Sequence, residues 1–451
     1  MSFCEPVLRK AKGLRVDECE ATYVRKKIIT IRITDSEIAE MKQNLEEAIS
    51  VRIVHKKTIM SAISSNREDD GIVERAMQTK SVFQPKHFWK SLPSQSHFIE
   101  IKRTYDKKLE ETTGTQAAEI ARSMIESSSH ETIDRISGSL NIVSEYFEVS
   151  NTNGLDCAEK ATYIAGTINT DSSHGSTPVS GIGAMSSRTL SSFSPKKIGS
   201  EAKEMCTGSI NPQICENGTY SIIFTPYAMG ELLTFVASPN FSLKTYSEKR
   251  SCFTDKIGAK IAPDDFSLID DPHLPDAIGS RAFDDEGVTT TTKHLVRSGI
   301  FSKVFSDSFY AFREGMTSTG NAVRMGTPMG RSAAPIPIPA PHNLVIKEGR
   351  NNLQEMIKDT KHGLLIGRLW YTYAVNPERG DFSCTARSGI MLVEGGRIVR
   401  PSKPVRIVHS LPDLFSNISD IGNDSRNVLQ WHALPCTTPS LKVNGIRVQH
   451  A

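Results

Sequence analysis

Three runs rich in β-branched and aromatic residues, 133–142, 144–149 and 161–168, constrain this chain most, because the last two flank the turn sequence Asn151-Thr152-Asn153-Gly154. Such side chains suit a pleated, half-buried surface, and an Asn-Gly turn joins antiparallel neighbours, so a hairpin is expected here. The same period of two appears earlier. Ile29, Ile31 and Ile33 fall on one face, and Val51, Ile53, Ile59 and Ile63 continue among basic residues. Residues 36–48 between them are polar and helix-permissive, and Ile72, Val73, Ala76 and Met77 take helical spacing after Asp69-Asp70-Gly71.

Helix signals punctuate the strands. Ala117, Ile120, Ala121 and Met124 form one apolar stripe along residues 115–127. Ser194 followed by Pro195 marks a capped start, with Pro at the first position, for a helix over 195–206. Residues 171–195 are dense in Ser and Gly and read as a loosely packed crossing. From Gly218 onward, strands are expected at 220–224, 294–297, 389–394 and 405–408, separated by Gly and Pro turns. In Pro335-Ile336-Pro337-Ile338-Pro339-Ala340-Pro341 every second residue lacks an amide hydrogen. That run is extended, either lining a groove or, the favoured reading, forming a stiff connector.

A chain of 451 residues exceeds one ordinary core. The expected fold is α+β: an N-terminal α/β domain with a mixed sheet over 1–95, a central α+β domain over 96–212, and a large β-rich C-terminal domain over 213–451. The balance of 54 basic against 51 acidic side chains, net +3, is no footprint for nucleic acid. Residues 1–15 carry no apolar signal segment, and no apolar run approaches the roughly 20 residues that span a bilayer. A soluble, cytoplasmic protein is expected. The eight cysteines lie far apart without a Cys-x-x-Cys pair, which favours reduced, buried thiols.

Catalytic motifs are incomplete. His130-Glu131 lacks a second histidine at helical spacing, so His-Glu-x-x-His is not formed. Neither Gly-x-Ser-x-Gly nor a phosphate loop occurs. Asp284-Asp285-Glu286-Gly287 lacks the EF-hand spacing and reads as a solvated acidic turn. Cys384, in Gly380-Asp381-Phe382-Ser383-Cys384, needs a base such as His409 or His432 folded against it to act as a nucleophile. His432 and Cys436 are four apart, but Pro435 argues against a helix there, and two ligands are one short of a zinc site.

Six blocks, in order and spacing, carry a resemblance to a known family. They are Leu190-Ser191-Ser192-Phe193-Ser194-Pro195-Lys196-Lys197, Phe283-Asp284-Asp285-Glu286-Gly287-Val288, Ser318-Thr319-Gly320-Asn321-Ala322, Gly380-Asp381-Phe382-Ser383, Val393-Glu394-Gly395-Gly396 and Ile421-Gly422-Asn423-Asp424. The region 190–427 resembles the TldD/PmbA peptidase family, and within it the PmbA branch, also called TldE. The N-terminal third is similar through its strand-helix order and the Val149-Ser150-Asn151-Thr152-Asn153-Gly154 block.

In that family the TldD branch is a metallopeptidase, with His-Glu-x-x-x-His on a helix and a further cysteine ligand near the C terminus; the PmbA branch lacks the motif. On the matching helix, 226–239, Thr234 stands for the first histidine, Phe235 for the glutamate and Pro239 for the second histidine. Threonine is a weak oxygen ligand, phenylalanine is no base, and proline offers no donor. Met229, Leu232, Leu233, Val236 and Ala237 nevertheless recur as the stripe of a buried helix.

The resemblance implies a catalytically incomplete subunit. It has no catalytic residue, metal site or cofactor of its own, and zinc is carried by a TldD-like partner acting on peptides; alone, the chain has a homodimer open to it. The positions offered for peptide contact by strand addition are Pro339, Pro341, His342, Asp381 and Cys384. Two rival readings are a self-sufficient hydrolase built on Cys384 and a binding module, the latter following the family's legacy label of a modulator of DNA gyrase.

Overall fold

The computed structural model describes residues 2–95, 97–430 and 434–451. Its first half is organised by one sheet. β1 (Glu18–Thr34), β2 (Glu37–His55), β3 (Thr58–Ser64), β4 (Arg135–Asn151), β5 (Asp156–Ser172) and β6 (Val179–Ser187) stand in the order β3-β2-β1-β4-β5-β6. The expected hairpin is present, with β4 and β5 paired from Arg135↔Asp171 to Ser150↔Asp156. The α+β class holds, but two details differ. All pairings in this sheet are antiparallel rather than mixed: tight turns join β1 to β2, β2 to β3 and β4 to β5 and leave no room for a crossover there, while the long connection after β3 sets β4 antiparallel beside β1. The sheet also runs through the expected boundary at residue 95: β1 pairs with β2 on one side and β4 on the other, so 1–95 and 96–212 build one layer.

The helix-permissive stretch 36–48 is strand. β2 pairs with β1 from Thr34↔Glu37 to Glu18↔Val54, and that ladder overrides a weak local preference while the charged side chains stay in water.

Two helices cover one face of the sheet. α1 (Gly114–Ser128) begins at a capping box in which Thr113 accepts from the Gln116 amide, and α2 (Pro195–Gly208) begins where Ser194 accepts from the Lys197 amide. Ala117, Ala121, Met124, Ile198 and Ala202 pack there with Ile29, Ile31, Ile142 and Ile164. The Ser/Gly-rich segment is therefore no loose crossing: residues 179–187 form β6, whose glycines lie directly against α2. A Cβ on Gly183 would stand 1.9 Å from the Ile198 carbonyl oxygen, and one on Gly181 would stand 2.0 Å from that of Ala202. Glycine permits this backbone approach.

The C-terminal half is β-rich. β7 (Gly218–Phe224), β8 (His362–Asn376), β9 (Asp381–Glu394), β10 (Arg397–Pro401), β11 (Val405–Ser410) and β12 (Leu441–His450) belong to one sheet. The pairings β7-β8-β9-β11-β12 close back on β7 as a ring, and β10 flanks β9. A second sheet runs through Lys293–Arg297, Leu268–Asp270, Leu344–Ile346, Pro435–Thr438 and Arg426–Leu429. The proline-rich run is extended, and Ile338–Pro339 pairs with Ala322–Val323. Among the described residues no helix is long and apolar enough to cross a membrane.

The acidic block 284–286 is buried rather than solvated, with all three carboxylates at 0% exposure. Arginines from distant positions replace water. Arg281 and Arg331 reach Asp285 at 2.9 and 2.8 Å, and Arg52 of β2 reaches Glu20 and Glu286 at 2.6 Å each. Arg324 pairs with Glu20 from the other side. Asp284 instead accepts from the amides of Glu286, Val288 and Ala322, and burial beside Glu286 holds its pKa well above the usual carboxylate range. The network ties the first sheet to the C-terminal half.

Candidate functional site

The helix singled out by the sequence, α3 (Pro226–Leu232), starts after Thr225 with Pro226 in its first turn. Met229, Leu232, Leu233, Val236 and Ala237 are all buried. The α-helix is shorter than expected: a π-helical turn takes over at Leu233–Ala237 and a 3₁₀ turn at Ser238–Phe241. Pro239 explains part of this, since it has no amide to give the carbonyl four residues back and its ring crowds that carbonyl.

Thr234, Phe235 and Pro239 do not converge. Thr234 is buried and donates to the Leu434 carbonyl at 3.3 Å, with the Cys436 sulfur 3.9 Å from its hydroxyl oxygen. Phe235 is half-buried and Pro239 is exposed. Among the described residues no three His, Cys, Asp or Glu side chains are grouped to hold a metal. Thr234 and Cys436 alone do not fit zinc, which needs about three protein donors. Burial pushes the Cys436 thiol up to about 12. His432 lies outside the described residues.

Glu231, one turn before Thr234, is a residue that patterning did not flag, although a charge inside an apolar stripe is a readable signal. It is buried and accepts from Thr372 Oγ1 at 2.6 Å. Burial raises its pKa to about 7. An unfolded glutamate titrates near 4.3, so between about 4.3 and 7 the folded chain keeps a proton that the unfolded chain has released, and stability falls as pH rises through that window. Glu231→Gln should therefore leave stability unchanged near pH 4 and raise it by on the order of 2 kcal/mol at pH 8, measured by urea unfolding at the two pH values.

Cys384 sits on β9 opposite Ile407, fully buried, and burial drives its pKa far up. No hydrogen bond links it to His409 among the described residues, and His409 Nε2 has no partner. A buried, protonated thiol without a base is a poor nucleophile. All eight cysteines are buried and unpaired with one another. A thiol-reactive disulfide reagent should thus find no reactive thiol in the native chain and all eight after unfolding.

The other positions offered for peptide contact are dispersed. Pro339 is half-buried in its two-stranded pairing, while Pro341 and His342 are buried, His342 Nε2 donating to the Gly320 carbonyl at 2.7 Å. Asp381 lies half-buried at the β8–β9 turn, 3.2 Å from Arg379. No hydrogen bond or ion pair joins the Pro339–His342 set to the Asp381–Cys384 set. His130, exposed beside a turn, is hydrogen-bonded to Thr132.

A cavity of about 440 Å³ escaped sequence reasoning. One wall is the first sheet, including Asn169 and Ser186; the other holds Tyr227 of α3, Arg368 of β8 and Arg426. Arg426 is engaged by Glu201 through two 2.9 Å contacts, and Arg368 donates to Asn169 Oδ1 at 2.9 Å.

Residues 217–450, just over half of the chain, match the PmbA/TldA metallopeptidase C-terminal domain. The chain belongs to the TldD/PmbA family. An uncharacterised Methanocaldococcus jannaschii protein is 26% identical across 81% of this chain and 82% of its own length. Metalloprotease PmbA of Escherichia coli O157:H7 is 26% identical across 57% of this chain and 49% of that protein. A metalloprotease TldD homologue of Buchnera aphidicola is 27% identical across 50% and 45% respectively. This TldD/PmbA-family chain thus aligns with about half the length of those two metalloproteases. Its fold is that of TldE from Thermococcus kodakarensis, with a TM-score of 0.90 at 23% identity over 100% of both chains. A Thermotoga maritima protein described as a modulator of a DNA gyrase gives 0.87 at 20% identity over 99% of each.

Proposed function

We propose that this chain is a non-catalytic PmbA/TldE-type subunit of a zinc metallopeptidase complex that processes peptides inside the cell. A TldD-like chain supplies the zinc, the glutamate base and the peptide-cleaving water. One observation carries the reading: at the three motif positions stand a threonine bonded to a backbone carbonyl, a phenyl ring and an exposed proline. Zinc hydrolysis requires about three donors, an open position and a base, and this set provides none of the base function.

Cys436, the cysteine nearest the C terminus, lies beside Thr234, and among the described residues no His, Cys, Asp or Glu side chains join it in a group of three that could hold a metal. The packing of α3 is kept while its chemistry is absent, which fits a subunit retained for architecture. Exposed Tyr371, Tyr373 and Val375 on β8 offer apolar surface for a partner to cover. The net charge of +3 gives no support to nucleic-acid binding, and the burial of Cys384 gives none to a thiol hydrolase.

The purified chain should cleave no peptide. Adding a His-Glu-x-x-x-His chain from the same cell should produce a co-purifying complex whose activity disappears with a chelator. Activity of the chain alone that survives chelation and vanishes in Cys384→Ala would replace this reading with a cysteine hydrolase.

A further inference from the structure

The most deeply buried arginines in this chain have both terminal guanidinium nitrogens bonded, and of the four only Arg52 leaves its Nε without a partner among the described residues. Arg52, Arg324 and Arg331 hold carboxylates, and Arg188 donates to the carbonyls of Thr104, Thr162, Ile278 and Ser280. Arg368 differs. It is 8% exposed, its guanidinium lies 4.8 Å from the centroid of the Trp370 ring, and its one hydrogen bond runs from Nη1 to Asn169. Nothing among the described residues takes its Nε or Nη2, and no carboxylate lies within ion-pair distance. Glu231 is in its neighbourhood but forms no ion pair with it, and it holds its own proton up to about pH 7. A buried cation with an unused edge of two parallel N–H groups is matched by a carboxylate, which that edge binds through two hydrogen bonds.

The surroundings are those of a site. Arg368 borders the cavity of about 440 Å³, a volume typical of small-ligand sites. The same cavity is bordered by Ser186, whose buried hydroxyl has no hydrogen-bond partner. The register gives the spacing along the sheet between Ser186 and Asn169, the residue that Arg368 bonds. Ser186 pairs with Ala165 on β5, four residues from Asn169. At roughly 3.3 Å per residue the two ends are about 13 Å apart, the reach of a tri- or tetrapeptide in extended form.

We propose that this cavity is a carboxylate-binding site, in which Arg368 Nε and Nη2 hold the carboxylate and Ser186 hydrogen-bonds the far part of the ligand. The ligand is the C terminus of a short peptide or a small carboxylic acid. All the residues belong to this chain, so the site stands whether or not the chain pairs with a zinc-bearing subunit.

The test is calorimetric titration of the full chain with N-acetyl-trialanine, with its C-terminal amide, and with succinate. The peptide acid should bind at least about tenfold more tightly than the amide, the scale of a charge-assisted pair. Arg368→Gln should abolish that discrimination without lowering the thermal midpoint, because it removes an uncompensated cation. Ser186→Ala should weaken the peptide acid and leave succinate unchanged. Succinate binding as tightly as the peptide acid assigns the site to small acids, and weaker succinate binding assigns it to peptide termini. Equal binding of acid and amide to the wild-type chain, or no binding of either acid at about 10 mM, overturns the proposal. The acid-amide comparison decides even if a variant fails to fold.

Discussion

Arg52→Met is expected to lower the free energy of unfolding by about 3–5 kcal/mol, the penalty for leaving buried charges without their partner. Arg52 is 2% exposed and bridges two carboxylates, Glu20 on β1 and Glu286 in the C-terminal half, at 2.6 Å each. Once it is gone, Glu20 keeps Arg324 as its ion-pair partner, and Glu286 is left with Ser308, whose amide donates at 3.0 Å, and with no cation among the described residues. Neither carboxylate can reach water at its present position. Pairing Arg52→Met with Glu286→Gln should recover part of the loss, because the second change removes the stranded charge; urea unfolding of the single and double variants measures the coupling. A loss below about 1 kcal/mol would mean that water enters the network freely.

Gly183→Ala should be comparably damaging, by about 3 kcal/mol or more, through a different mechanism. The added methyl carbon meets the Ile198 carbonyl oxygen at 1.9 Å, and that atom is helix backbone, so β6 and α2 must separate. Overpacking against a flexible side chain commonly costs about 1–3 kcal/mol; a backbone neighbour has fewer ways to relax. Gly13→Ala is the control, because nothing lies within 4 Å of its added carbon. Thermal unfolding of the two variants should show a large shift for the first and almost none for the second.

These two sites also mark how far the sequence could be read. Features set by near neighbours were legible: the Thr113 and Ser194 caps, the hairpin around Asn153-Gly154, and the apolar stripe on α3. Features set by distant partners were not. Residues 36–48 became strand because β1 lies beside them, and Asp284 to Glu286 became buried because arginines far along the chain reach them. The glycines of β6 looked like flexibility until α2 was placed against them. Arg368 is ordinary in sequence and becomes unusual only when no carboxylate is found near it.

The central claim, that the fold of a zinc peptidase is kept here without its chemistry, meets its most direct test in the metal content of the isolated chain. Purified from zinc-replete cells and measured by plasma mass spectrometry, the chain should hold far less than one equivalent of zinc. Stoichiometric zinc that disappears in Thr234→Ala or Cys436→Ala would contradict the account, because it would show that the helix still binds the metal assigned to a partner.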